Sequence, residues 1–337
     1  MLDRAANGEA DGPAQALTPR HPVRQIFFGA DGLRAGWSLL LFLLLLAALI
    51  IPGHRLISAR HTDAASASAQ PREQSVRSSV RQDGVMFLMV VLASVAMSRI
   101  ERRPLAAYGI GWTRGGVGQF LAGLGWGLGF LSLLVLTLRG AHLLVFDERL
   151  LAGESILRFG AEWAVGFLLV ALFEEYFLRG FLQFTLARGF SGIYGAISTS
   201  PHRDALGFWT AAVILAFVFG LGHRSNPGES SIGLLTAGAA ALVFAFSLWR
   251  TGSLWWAIGF HAAWDWAQSF LFGVADSGIM MQHHLFATHP LGRPIWSGGV
   301  TGPEGSVFVL VVLLLAAVVI WLTLGGVGRQ DSTEPSR

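Results

Sequence analysis

Glu174, Glu175 and Arg179 sit inside an otherwise apolar run from Trp163 to Leu186, long enough to cross a bilayer. An ionised side chain at the centre of a membrane helix costs roughly 2.5 to 3.5 kcal/mol on an insertion scale, so three together cost on the order of 8 kcal/mol before pairing. Residues at i and i+4 share a helix face, so Glu175 and Arg179 can neutralise one another. Glu174 is then left over, about 100° round the axis, and needs a partner on a neighbouring helix or in a wet cavity. That leftover carboxylate marks where function should be sought.

Two further polar elements stand in separate apolar runs: Phe219-x-x-x-His223 near the end of one, and His261-x-x-x-Asp265 in the middle of another. The second spacing puts imidazole and carboxylate on one helix face, where they can share a water, a proton or a metal. Each alone reads first as a packing histidine or a structural pair. Together with an unpaired glutamate they read as a site, because ionisable groups far apart in sequence and all in apolar spans need one another to be tolerated there. Glu174, His223 and His261 are therefore expected to converge, with side-chain atoms about 4 to 7 Å apart.

The surrounding chain sets the fold class. Of 337 residues, 53% are hydrophobic and 13% charged, about half the charged share of soluble domains, and mean hydropathy is +0.54. This is an all-α polytopic membrane protein. Apolar windows mark eight expected spans, at 35–52, 84–98, 117–138, 162–186, 206–224, 231–249, 253–272 and 306–324. The membrane domain covers 35–324, between a polar disordered tail at 1–34 and a polar tail at 325–337. The tail before Ala35 is not a signal peptide, since the apolar run starts late and no cleavage site follows it closely. Small residues at i and i+4, Gly123 with Gly127 and Gly125 with Gly129, and Gly233, Ala237 and Ala241, fit close helix packing.

Cysteine is absent, which excludes disulfides, thiolate metal sites and a cysteine nucleophile. All 24 basic residues are arginine. They favour anionic head groups, and with no basic run beside aromatics nucleic acid is not a partner. Thirteen arginines on the side of the termini against ten on the other favour cytoplasmic termini. The absence of lysine, with abundant Arg, Ala and Gly, points to a bacterial inner membrane. Arg99 to Gly116, with Arg102, Arg103, Tyr108 and Trp112, reads as an interfacial connector; 53–83 and 273–305 read as polar loops on the opposite side.

Phe173-Glu174-Glu175-Tyr176-Phe177-Leu178-Arg179-Gly180, then Phe219-Gly220-Leu221-Gly222-His223, then Gly252-Ser253-Leu254-Trp255 running to His261-Ala262-Ala263-Trp264-Asp265, resemble the three motifs of the CAAX prenyl endopeptidase and bacteriocin-processing (CPBP, or Abi) family of intramembrane proteases. The resemblance covers roughly 160–272, and Arg103-Pro104-Leu105 to Gly109 is similar to a common lead-in. It implies a helical membrane fold with a conical cavity and endopeptidase activity on a peptide or protein substrate at the bilayer. It also implies that Glu174 is the water-activating carboxylate, His223 and His261 its catalytic partners, Asp265 the last polar position, and Glu175 and Arg179 the accompanying first-motif residues.

These residue types suit peptide hydrolysis, which needs a polarised water, a proton acceptor and donors to the oxyanion. His223 could position the water for Glu174. Alternatively His223, His261 and a carboxylate would form a metalloprotease site with Zn2+ and water in the fourth position. The residues leave both open. Family members often carry Asn at the last position; Asp265 donates only when protonated, which favours a metal-bound or proton-sharing role. No HExxH motif is present. His283, His284 and His289 form a loop cluster that reads as solvated, and Trp255, Trp256, Trp264 and Trp266 read as packing, with Trp264 and Trp266 placed to line a cavity. Two rival functions use the same buried ions: a proton- or cation-coupled transporter, and a non-catalytic immunity or scaffold protein. Whether a substrate is prenylated is not legible.

Overall fold

A computed structural model of the chain describes residues 22–29, 32–58, 73–111, 114–226 and 228–325. Of the tails expected at 1–34 and 325–337, residues 1–21 and 326–337 lie outside the described residues, as does Trp112 of the connector. The rest of the stretch before Ala35 holds a short helix α1 (Pro22–Phe27) and a turn, Phe28 pairing with Leu33. From there α2 (Ala35–Ser58), α3 (Val76–Glu101) and α4 (Arg114–Gly140) follow. A continuous run then holds α5 (Glu154–Glu175), a π-helical turn (Tyr176–Leu182) and α6 (Gln183–Ile197). It is followed by α7 (Arg203–Gly222), α8 (Ser231–Thr251), α9 (Trp255–Trp266), a second π turn (Ala267–Leu271), the single-turn α10 (Pro294–Ser297) and α11 (Phe308–Thr323).

Six of these helical runs are long and apolar enough to cross a membrane, so the protein is an all-α, multi-pass integral membrane protein. Eight were expected. The two that fall short are α9, 12 residues before its π turn, and α11, 16 residues. Almost all of α9 is buried among other helices, so its apolar character reflects a protein core as much as lipid.

Two expected boundaries move. The window at 84–98 belongs to a helix that begins at Val76, because the side chain of Ser75 caps it by accepting from the Ser78 amide. The charged stretch before Gly84, expected as loop, is therefore helical. The window at 162–186 lies inside a run of 44 residues, about 66 Å long and roughly twice a hydrocarbon core. The polar loop at 273–305 is also ordered: Phe286–Pro290 pairs antiparallel with Leu144–Arg149, and Glu73–Gln74 pairs with Met280–Met281.

Contacts between connections define two faces. On one, the Leu254 amide donates to Gly109 O, Arg250 bonds Leu324 O, and Ala35 packs on Gly189. On the other, Gln282 N bonds Gln74 O, Leu291 N bonds Leu143 O, and Thr301 Oγ1 donates to Gly228 O. The first described span starts and the last helix ends on the same face.

Close approach of α4 and α9 fixes the centre. A Cβ at Gly123 or Gly127 would collide with the backbone of Trp256 or Phe260, and one at Gly259 with Phe120 O, whereas Gly125 and Gly129 face open space. Only the first of the two small-residue stripes on α4 is a contact. Gly127→Ala is expected to cost about 1 to 3 kcal/mol, typical of overpacking, and to lower the melting temperature in detergent, while Gly125→Ala leaves it unchanged or higher. Equal effects in the two variants would show that this contact does not limit stability.

Candidate active site

The first motif lies where α5 gives way to a π turn, a rare geometry most often found at functional positions. Despite the wider turn, Glu175 Oε1 and Arg179 Nη1 meet at 2.9 Å, the pairing that the i, i+4 spacing leads one to expect. Both are out of solvent, with side-chain exposures of 0% and 2%. Phe219 and Phe244 cover the guanidinium, whose carbon lies 4.6 and 5.6 Å from their ring centres. Gly180 is required for packing, since a Cβ there would strike Tyr108 O and the Tyr176 ring.

The same Glu175 oxygen has a second partner, His261 Nδ1, at 3.0 Å. A carboxylate fully out of water accepts, so Nδ1 carries a hydrogen and the other ring nitrogen faces the site. His261 Nε2 stands 3.3 Å from Asp265 Oδ2 and 3.8 Å from Glu174 Oε2. The first and third motifs thus converge as expected. Glu174 finds its partner across helices, and its side chain keeps 25% exposure where the others are buried.

Glu174, His261 and Asp265 line one cavity of about 480 Å³ that also takes in His223, Phe219, Gly222 and Trp264. His223 caps the end of α7, and its Nδ1 is 2.8 Å from Phe219 O. A carbonyl only accepts, so this ring also carries its hydrogen on Nδ1 and offers Nε2 as an acceptor. His223 shares the cavity but, among the described residues, makes no ion-pair contact within 4.0 Å with Glu174. The second motif therefore meets the first through Phe219 over Arg179, while His223 lines the cavity with no ion pair among the described residues.

Three carboxylates that the sequence reading passed over also line the cavity: Asp83, Asp276 and Glu304. Asp83 accepts from Ser79 Oγ at 2.8 Å, one turn earlier on α3. Glu304 accepts from the amide and hydroxyl of Ser277. Asp276 lies 3.3 Å from Ser269 Oγ, and burial together with the nearby Asp265 and Glu304 pushes its pKa well above the usual carboxylate range. Asp83 had a sequence signal in Ser79-x-x-x-Asp83 behind a capping serine. Asp276 and Glu304 had none, since only the folding of the 273–305 segment brings them in.

Among the described residues no three His, Asp or Glu side chains stand together as a metal would need. His261 Nδ1 is held by Glu175 and His223 Nδ1 by Phe219 O, which leaves the Nε2 atom of each ring free of those contacts. The loop histidines are separate: His283 stacks on Phe159, His284 bonds Met281 O and His289 bonds Asp147. Trp264 lines the cavity, whereas Trp266 donates to Gly160 O and packs.

Because Glu175 is dry and shared, Arg179→Ala is expected to leave an uncompensated carboxylate and cost about 3 to 5 kcal/mol of stability. Changing Glu175 and Arg179 together to apolar residues should recover folded yield but not function, since His261 then loses the acceptor on Nδ1. Yield in size-exclusion chromatography checks the first statement, and a double variant no better folded than Arg179→Ala would refute it.

One comparison with known proteins finds a match over the same part of the chain. Residues 157–267 match the family described as type II CAAX prenyl endopeptidase Rce1-like. The matched segment runs from α5 to α9 and contains every residue of the Glu174, Glu175, Arg179, His223, His261 and Asp265 set. No curated protein and no solved structure matches the chain. Over residues 157–267, a third of its length, the chain is thus similar to a family of CAAX-type membrane endopeptidases.

Proposed function

We propose that the protein hydrolyses a peptide bond of a membrane-associated substrate in this cavity by a glutamate-activated water, without a metal. The observation that carries the reading is the 3.8 Å approach of Glu174 to a His261 ring whose other nitrogen is fixed by a dry carboxylate. Glu174 is the one first-motif ion not consumed by a partner on its own helix.

In this reading the water donates one hydrogen to Glu174, and its second points to the unprotonated Nε2 of His223. Transfer of the first proton leaves hydroxide to add to the scissile carbonyl. The oxyanion needs a donor. A ring nitrogen and a carboxylate oxygen 3.3 Å apart in a dry site share a proton, and that proton, between His261 Nε2 and Asp265, supplies it. Glu174 then returns its proton to the leaving amine, so the residues end as they began. Asp265 at the position where family members often carry Asn is explained by this sharing. Glu175 and Arg179 position His261 and touch no reacting atom. The side that receives substrate is the face carrying Asn226 and the 273–305 segment, whose residues line the cavity mouth.

Glu174→Gln is expected to reduce cleavage of a membrane-anchored peptide about 10²- to 10⁴-fold with unchanged detergent stability, and retention of more than a tenth of activity would eliminate it as the base. Chelator is expected to leave the wild-type rate unchanged. Asp265→Asn separates the two roles of that position. A shared-proton donor replaced by an amide keeps or raises activity, whereas loss that added zinc restores would argue for a metal instead.

A further inference from the structure

Asp83 is a carboxylate inside a membrane-spanning helix that the reaction above does not use. An ionisable group in such a helix is costly to insert and is kept where it meets a partner or a ligand. Its hydrogen-bond partner among the described residues is neutral, the Ser79 hydroxyl, which donates to Oδ2 at 2.8 Å. No arginine or histidine among those residues pairs with it, and the charge that acts on it is the like charge of Glu174. Glu175 is sealed from solvent, whereas Asp83 is half-buried and lines the cavity of about 480 Å³, so a molecule in that cavity reaches it.

Its level in the membrane follows from how α3 lies on α5. Val80 lies against Gly166, Leu169 against Gly84, and the Phe87 ring meets the Tyr176 ring, so the two helices run side by side in the same direction. Asp83 therefore stands level with Leu169 and Val170, about one turn of α5, or roughly 6 Å, short of Glu174. The chain entering α3 is at the cavity mouth, where Gln74 pairs with Met281. A peptide arriving from that side passes Asp83 before it reaches Glu174. Beside this path the wall is apolar: Val170, Phe173 and Ile279, all half-buried, line the same cavity. A side chain with an apolar stem and a cationic head meets both features at once, the stem on that wall and the head on the carboxylate. A cation there also offsets the repulsion between Asp83 and Glu174.

We propose that Asp83 is a specificity-determining residue that takes an arginine or lysine side chain of the substrate. An extended chain advances about 3.3 Å per residue, so the cationic residue falls within about two positions of the scissile bond, on its mouth side. The inference rests on hydrolysis at Glu174 and adds the class of substrate to it.

The test is peptide binding to the full-length Glu174→Gln protein in detergent, where the peptide stays uncut. The probes are palmitoylated apolar hexapeptides, each with one arginine at a different position, and their citrulline counterparts, which keep the shape and lose the charge. At one position, or two adjacent ones, arginine is expected to bind at least tenfold tighter than citrulline. Adding Asp83→Asn, which keeps the shape and an oxygen for Ser79 Oγ, should bring the two peptides within twofold of each other. Citrulline binding and the melting temperature should stay as they were. Arginine no tighter than citrulline at every position, or a preference that survives Asp83→Asn, would overturn the proposal. So would an equal loss of both peptides, which would make Asp83 a support for the wall and no reader of charge. Cleavage by the wild type is scored separately: an arginine preference without hydrolysis refutes the proposed reaction and leaves this subsite standing.

Discussion

A single oxygen, Glu175 Oε1, is where the fold and the site meet, because a carboxylate with no access to water must satisfy its charge from groups held in place. It does so with Arg179 from one turn on, and with His261 from a helix 86 residues away in sequence. The pair makes Glu175 tolerable in the membrane, and the histidine contact uses the tolerated charge to select a tautomer. Glu174, the adjacent residue, lines the cavity instead. Everything else in the centre of the molecule serves to bring α9 close enough for that contact.

The closeness of α9 comes from glycine. Gly123, Gly127 and Gly259 remove the side chains that would hold α4 and α9 apart, so backbone meets backbone along the shared axis. Asp265 follows His261 by one turn on this buried helix, and a second π turn begins two residues later. Charged groups in the cavity are thus carried by rigid helices, whereas its mouth is built by the chain between α9 and α11. That segment is stitched to the rest by strand pairing and by Glu304 bridging to Ser277. A rigid floor and a loop-built entrance suit an enzyme that must hold a catalytic geometry and still admit a chain from the bilayer.

The sequence by itself determined which intramembrane ions to look for together. Intramembrane ions are so expensive that Glu174, Glu175, Arg179, His261 and Asp265 could be singled out from their apolar surroundings, and i, i+4 geometry alone paired Glu175 with Arg179. It also determined the helical membrane class, because runs of apolar residues admit few other structures. It did not show that Glu175 also holds His261, since that contact depends on how two helices cross. Nor did it show that α3 begins eight residues before the apolar window, or that α9 lies within the protein, because hydropathy measures apolar character and cannot tell lipid from protein core. Asp276 and Glu304 enter the site only through the folding of a segment with no periodicity to read. Tertiary structure also set His223 apart from the other motifs, placing it on the same wall with a carbonyl for a partner, because the end of α7, and no pattern within it, fixes where that ring stands.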